Sequence, residues 1–403
     1  MADYEKLYSA SAIGMRSSEI RRIMKMAADP SLISFAGGVP GMSLLPIEII
    51  DAIYGGLSEP TKRIASQYGA TDGYAPLIAE IKKYVSSSKG ISMDGQELIV
   101  TVGAQQAINI IAKLFLDHGD VAVTENPSFI GALAAFTSYG AETVGVPLDG
   151  EGIIIPQLLE TLDRLGKKAK ILYLTPYFHN PAGIIYSANR KRELLDALKG
   201  RDIVMIEDDP YGELYFDPAD KPLTTPMKAM PHSGVSICYT SSFAKIFNPG
   251  MRLGLLCADA ALIDKCQLAK QSMDACSPVF TQVLTHEFLS QGRLPGYLET
   301  IRAAYKNRAA IMLRALEEYM PKSVSWTTPK GGFFVWVTLP EYVDASDVFQ
   351  KSYENGAAFV IGSAFYPAGV KNDCLRLSFS NTPEEKIARG IEIVANAIKA
   401  FIK

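Results

Sequence analysis

The chain has 403 residues, 48% of them hydrophobic and 21% charged, with a formal net charge of −3 and no dense basic tract. This composition excludes disordered and fibrous classes, offers nucleic acid no broad cationic face, and suits a globular enzyme. The length exceeds the ~250–300 residues at which a single core stops growing, which predicts two domains.

The N-terminal segment, MADYEKLYSASAIGMRSSEIRRIMK, lacks the apolar run of a signal peptide, and no stretch approaches the ~18 apolar residues of a membrane span. The 5 cysteines are scattered without CxxC spacing, which predicts reduced thiols and a cytoplasmic protein. The 4 histidines lie far apart, so no metal site is expected. Residues 30–46, rich in Gly and Pro, read as an extended connection, and residues 60–76 read as a long functional loop.

Seven strands are then predicted: ELIVTV (97–102), VAVTEN (121–126), ETVGVP (142–147), KILYLT (170–175), IVMIED (203–208), VSICYT (235–240) and LGLLCA (253–258). Helical patterns in AQQAINIIAKLFLDHG, SFIGALAAFTSYG and SANRKRELLDALKG lie between several of them. Apolar strands separated by amphipathic helices indicate a largely parallel sheet covered on both faces, which binds ligands outside its carboxyl edge. Past about residue 275 the pattern becomes mixed. A helical stretch over 278–320, broken near Pro295, precedes strands at SVSWTT and GGFFVWVTL, a helix over 345–355, strands AAFVI and CLRLSFS, and a helix from Pro383. The expected division is an N-terminal arm (1–45) joining a small α+β domain (286–403), with a large domain over 46–285.

Several strand exits carry residues suited to chemistry. TVGAQQAINII (101–111) opens a helix whose N–H groups, with Gln105, could seat a phosphate; it also reads as an ordinary helix start. In ENPSFIGAL, Phe129 could stack on a flat ring or simply fill the core. In TPYFHNPAG, Asn180 could donate to a ring oxygen, or the segment is only a turn. IVMIEDDPYGELY ends a buried strand in Glu207, Asp208 and Asp209. A carboxylate there needs a cation such as a protonated pyridine nitrogen, with Tyr211 near the ring hydroxyl, unless the acids merely open a turn.

SSFAKIFNPGMRLG (241–254) sets Lys245 between Ser241, Ser242 and Arg252. A desolvated lysine suits imine chemistry, and the hydroxyls and guanidinium suit a phosphate; a surface lysine is the plainer alternative. CLRLSFSN buries Arg376 in an apolar strand, where it needs a carboxylate, either a substrate's or a structural partner's. Taken together, these groups are what pyridoxal 5′-phosphate and an amino acid require of a protein.

With SFAGGVP at 34–40, GAQQ at 103–106, EDDPY at 207–211 and LRLSFS at 375–380, the chain resembles the class I/II aminotransferases of pyridoxal-phosphate fold type I over nearly its whole length. Within them it is similar to the subgroup of 2-aminoadipate and kynurenine aminotransferases. The resemblance implies an α/β fold whose large domain carries a mostly parallel seven-stranded sheet between helices, beside a smaller α+β domain. It implies pyridoxal 5′-phosphate as cofactor, with Lys245 as its covalent partner and proton shuttle. Asp208 would face the pyridine nitrogen, while Asn180 and Tyr211 would attend the ring oxygen. Ala104, Gln105, Ser242 and Arg252 would form the phosphate cup and Phe129 the stacking ring.

Arg376 and Gly38 would hold the substrate's carboxylate end, and Arg21 would read a distal carboxylate. A homodimer is implied, with Tyr68 reaching the partner's phosphate. The implied reaction moves an amino group from an L-amino acid (2-aminoadipate, aromatic or branched-chain) to a 2-oxo acid, 2-oxoglutarate, by ping-pong steps. A lyase on the same cofactor, or a ligand-sensing regulator domain of the same fold, are the alternatives. Neither nucleic acid nor a membrane is an expected partner.

Overall fold

Apolar runs bounded by turns form strands here because both faces of the sheet they build are covered. In the computed structural model, which describes residues 4–9, 11, 12, 29, 31–367 and 372–402, these strands make sheets of eight, four and two strands. The arm supplies β1 (Ile33–Ser34). The large sheet takes β2 (Gln96–Thr101), β3 (Val121–Asn126), β4 (Glu142–Asp149), β5 (Gly152–Ile153), β6 (Ala169–Leu174), β7 (Val204–Asp209), β8 (Ser236–Ser242) and β9 (Gly254–Asp259). Their spatial order is β2-β9-β8-β7-β6-β3-β4-β5.

All seven expected strands are present. The eighth, β5, folds back on β4 through residues 149–152 and is too short to leave a periodic signal. The sheet is parallel except for β5 and for β9, which runs antiparallel to both β2 and β8.

Helices Gly103–Phe115, Ile130–Ser138 and Ala260–Asp274 bury their apolar stripes on one face, and Ile155–Leu165 and Ala188–Leu198 on the other. Helix Ile155–Leu165 was not among the helices expected from the sequence. Its apolar residues Ile155, Leu158, Leu159, Leu162 and Leu165 recur at helical spacing, with Leu158 and Leu162 buried, so the pattern was in the sequence and was overlooked.

The C-terminal part follows the expected order, with one difference. Helices Val279–Ser290 and Leu294–Tyr319 part at Gly292, whose φ is +66°, and Pro295 sits in the first turn of the second. An antiparallel sheet follows, built from β10 (Ser325–Trp326), β11 (Phe334–Thr338), β13 (Val360–Ile361) and β14 (Cys374–Ser378), preceded along the chain at β13 by β12 (Ala357–Ala358). The run AAFVI, expected as one strand, is therefore two: β12 pairs with β1, and β13 with β14. The arm won half of it by backbone hydrogen bonding. Ile33 N–H reaches Gly356 O at 2.8 Å, Phe35 N–H reaches Ala358 O at 2.7 Å, and Ser378 N–H reaches Phe35 O at 2.9 Å. Among the described residues no helix is long and apolar enough to cross a membrane.

Helix Glu384–Lys399 closes over the arm through Gly390, where an added Cβ would stand 2.6 Å from both Ile33 and Phe35. A leucine there must overpack a fully buried Phe35. Gly390→Leu should lower unfolding stability by about 1–3 kcal/mol despite the better helix propensity, read as a lower denaturation midpoint at unchanged slope.

Candidate active site

The carboxyl ends of parallel strands leave unpaired backbone and short turns at one edge, and that edge holds a cavity of about 460 Å³. Gly103–Gln105 follow β2, Phe129–Gly131 follow β3, Thr175 and Asn180 follow β6, Pro210 and Tyr211 follow Asp208 in β7, and Ser242–Lys245 close β8. Because β9 is reversed, its amino end lies at the same edge and brings Arg252 there. The arm adds Gly38 and Val39, and β14 adds Arg376.

Lys245 Nζ donates to Gly38 O at 2.8 Å. Burial first, then the guanidinium groups of Arg252 and Arg376, bring its pKa down to about 8 against the pull of Asp208. Asp208 is displaced in the other direction. Burial raises its pKa to about 7, although the Tyr173 hydroxyl donates to Oδ2 at 2.7 Å. Its Oδ1 is buried and accepts no hydrogen bond. A carboxylate oxygen buried without a donor is costly, so the cavity is built for a cation or an N–H at that point.

Arg376 is 6% exposed, yet no carboxylate among the described residues pairs with it. Nη1 donates to Asn180 Oδ1 and Nη2 to Ala36 O, each at 2.7 Å, and Nε has no partner. The guanidinium is held between the rings of Phe334 and Phe365, 4.4 and 4.9 Å from their centroids. Burial lowers its pKa to about 10. Among the described residues the structural salt bridge left open by the sequence is absent, and a planar cation stands ready for an incoming carboxylate. Tyr211 lies beside it, its phenol kept protonated chiefly by burial.

At the other end, Arg252 adopts a φ of 50°, the left-handed region that non-glycine residues seldom occupy. Its guanidinium overhangs the start of helix Gly103–Phe115, where a Cβ on Gly103 would stand 3.4 Å from Nη2. Helix N–H groups, Ala104, the Ser242 hydroxyl and Arg252 thus converge on one end of the cavity. Gln105 spends one amide hydrogen on Gly131 O at 2.8 Å. Ser241 is turned away, its hydroxyl donating to Asp209 O at 2.7 Å. Phe129 lines the wall between the two ends.

Two expected residues stand apart from those above. Tyr68 is 87% exposed and does not line it, and Arg21 lies outside the described residues. Sequence reasoning missed Tyr173, Thr175 and Ile130. Tyr173 sits inside an apolar strand run, and only the pairing of β6 with β7 brings its hydroxyl to Asp208.

The family model for "Aminotransferase class I and II" matches residues 43–394. The chain is 39% identical to aromatic-amino-acid aminotransferase 1 of Thermococcus litoralis, covering 100% of this chain and 96% of that one. It is 34% identical to 2-aminoadipate transaminase of Thermus thermophilus, covering 99% and 98%. The crystal structure of Pyrococcus horikoshii kynurenine aminotransferase, in complex with PMP, superposes with a TM-score of 0.95 at 38% identity, covering 100% of this chain and 99% of that one.

A lysine with a lowered pKa gains neutral, nucleophilic amine as the pH climbs through that lower value. Borohydride trapping of a small aldehyde at Lys245 in the cofactor-free protein should therefore rise through about pH 8, not through the ordinary value of 10.5. Peptide mapping against pH measures it.

Proposed function

The chain belongs to the class I and II aminotransferases, which use pyridoxal phosphate on amino acids and 2-oxo acids, and from that premise we propose that it moves the amino group of an aromatic or similarly apolar L-amino acid to 2-oxoglutarate. One observation carries the reading. A single cavity holds an amine of lowered pKa, an unfilled carboxylate oxygen and a buried guanidinium with no carboxylate partner. These are the complements of an aldehyde, a ring N–H and an amino acid's carboxylate.

The residues present fit the cofactor. The Asp208 Oδ1 site suits its ring nitrogen, Asn180 and Tyr211 its ring hydroxyl, and Phe129 its ring face. Ala104, Gln105, Ser242 and Arg252 suit its phosphate. When bound, pyridoxal phosphate supplies an electron sink for the bond broken at the substrate's Cα. Arg376 grips the substrate carboxylate, with the Gly38 backbone beside it, and so orients the Cα–H bond. Lys245, released from Gly38, takes the proton from Cα and later returns it, its lowered pKa matching a base that works near neutral pH. Asp208, whose burial opposes a lone charge, would ionise against a ring N–H and keep that partner cationic, with Tyr173 donating to its other oxygen.

The named relatives act on aromatic, 2-aminoadipate and kynurenine-type substrates, and the described wall of the cavity includes, besides the residues that suit the cofactor, the apolar Val39 and Ile130. That favours apolar and aromatic donors; acidic or branched-chain donors would depend on further contacts, including the reading of Arg21. We propose a homodimer in which Tyr68 serves the partner's site. Tyr54, Ile64, Tyr68 and Phe280 all present apolar surface to solvent, which supports it. The 5 free cysteines support a cytoplasmic location, and the pairing of β1 with β12 supports an arm (1–45) that belongs with the small domain (286–403) rather than with 46–285.

Mixed with an aromatic amino acid and 2-oxoglutarate, the enzyme should form glutamate; release of ammonia and pyruvate instead would point to a lyase. Lys245→Ala should leave no measurable turnover. Arg376→Gln should cut kcat/KM by about 10²-fold, mainly through KM for the amino acid, since it removes a charge-assisted pair. Steady-state kinetics with both substrates varied reads each outcome.

A further inference from the structure

Asp208 faces a crowd of groups that oppose its ionisation. Burial opposes it most, and Asp209 on the same strand and Glu125 on β3 add to it by disfavouring a second negative charge. Lys245 and Tyr173 act the other way, and Tyr211 lies beyond. Of these, only Tyr173 makes a direct hydrogen bond to the carboxylate, at 2.7 Å.

The hydroxyl's orientation is set by a second bond. Thr175 Oγ1 donates to Tyr173 OH at 3.2 Å, so the phenol accepts from threonine and commits its one proton to Asp208 Oδ2. Thr175 is itself fixed, its backbone N–H donating to Glu125 Oε2 at 2.8 Å. Glu125 in turn is held by the His179 ring at 3.0 Å and the Tyr186 hydroxyl at 2.7 Å. Along this series of hydrogen bonds, the one carboxylate oxygen left without a donor is Asp208 Oδ1.

We propose that Tyr173, aligned by Thr175, is a positioning residue that holds the Asp208 carboxylate ionised and turns its free oxygen to the cofactor's ring nitrogen. This rests on the functional reading above, in which Asp208 serves that nitrogen. Tyr173→Phe removes one hydroxyl and keeps the ring that packs edge-on against Phe136 at 5.8 Å. Without the donor, Asp208 takes up a proton more readily and holds the ring N–H less well.

The test compares two cofactors on the full-length protein: pyridoxal phosphate, and a deaza analogue in which carbon replaces the ring nitrogen. Tyr173→Phe should weaken pyridoxal phosphate binding about tenfold, the scale of one hydrogen bond to a charged group. Binding of the deaza analogue should be unchanged. Thr175→Val should act in the same direction more weakly, because the phenol can then turn away. Equal weakening of both cofactors, or of neither, would overturn the positioning role while leaving the aminotransferase reading intact. A wild type that binds the two cofactors equally would instead overturn the pairing of Asp208 with the ring nitrogen, and this proposal with it.

Discussion

Everything at this site turns on the cost of keeping charges out of water. An ionised carboxylate or guanidinium inside a protein must be met by donors or acceptors, or it neutralises. In the acid networks beside the cavity that demand is met. Lys89 lies between Asp209 and Glu213 at 3.0 Å from each, while Tyr239 and Tyr84 donate to the same two acids. Glu207 accepts the backbone N–H groups of Met227 and Lys228. Of the eight buried side-chain atoms without a hydrogen-bond partner among the described residues, two, Oδ1 of Asp208 and Nε of Arg376, belong to charged groups that line the one cavity. Two charged groups left short of partners on one cavity mark where a ligand of complementary charge belongs.

Strand alternation sorts three consecutive acids into different tasks. Glu207 and Asp209 point to one side of β7 and are consumed by structural networks; Asp208 points to the other and meets Tyr173 and the cavity. Asp209 still serves the site indirectly. It accepts Gly212 N–H at 2.8 Å and so shapes the turn that carries Tyr211. Rigid support of this kind is what precise placement of reacting groups requires.

The arm couples the two ends of the molecule. Strand pairing of Ile33 and Ser34 with Ala357 and Ala358 registers residues 35–39 over the cavity. Ala36 O then accepts from Arg376, Gly38 O from Lys245, and Val39 O from Ser380. The carbonyls of one short extended segment thereby touch both the amine and the guanidinium. A side chain at Gly38 would strike Phe334 at 2.8 Å, so the close approach of this backbone depends on glycine.

Much of this was legible in the sequence because it is local. Period and turn chemistry disclosed seven strands, the break before Pro295 and the separate C-terminal region, since each depends on neighbours along the chain. The motifs around Asn180, Asp208, Lys245, Arg252 and Arg376 showed which residue types were at hand. What no local pattern held was pairing. The reversal of β9 that delivers Arg252, the division of 357–361 between the arm and the small sheet, and the reach of Tyr173 across to Asp208 are all settled by which strand lies beside which. Tertiary structure also decided the state of the charges: a lysine or carboxylate shifts its proton only through burial and neighbours, and both are made by contacts distant in the chain.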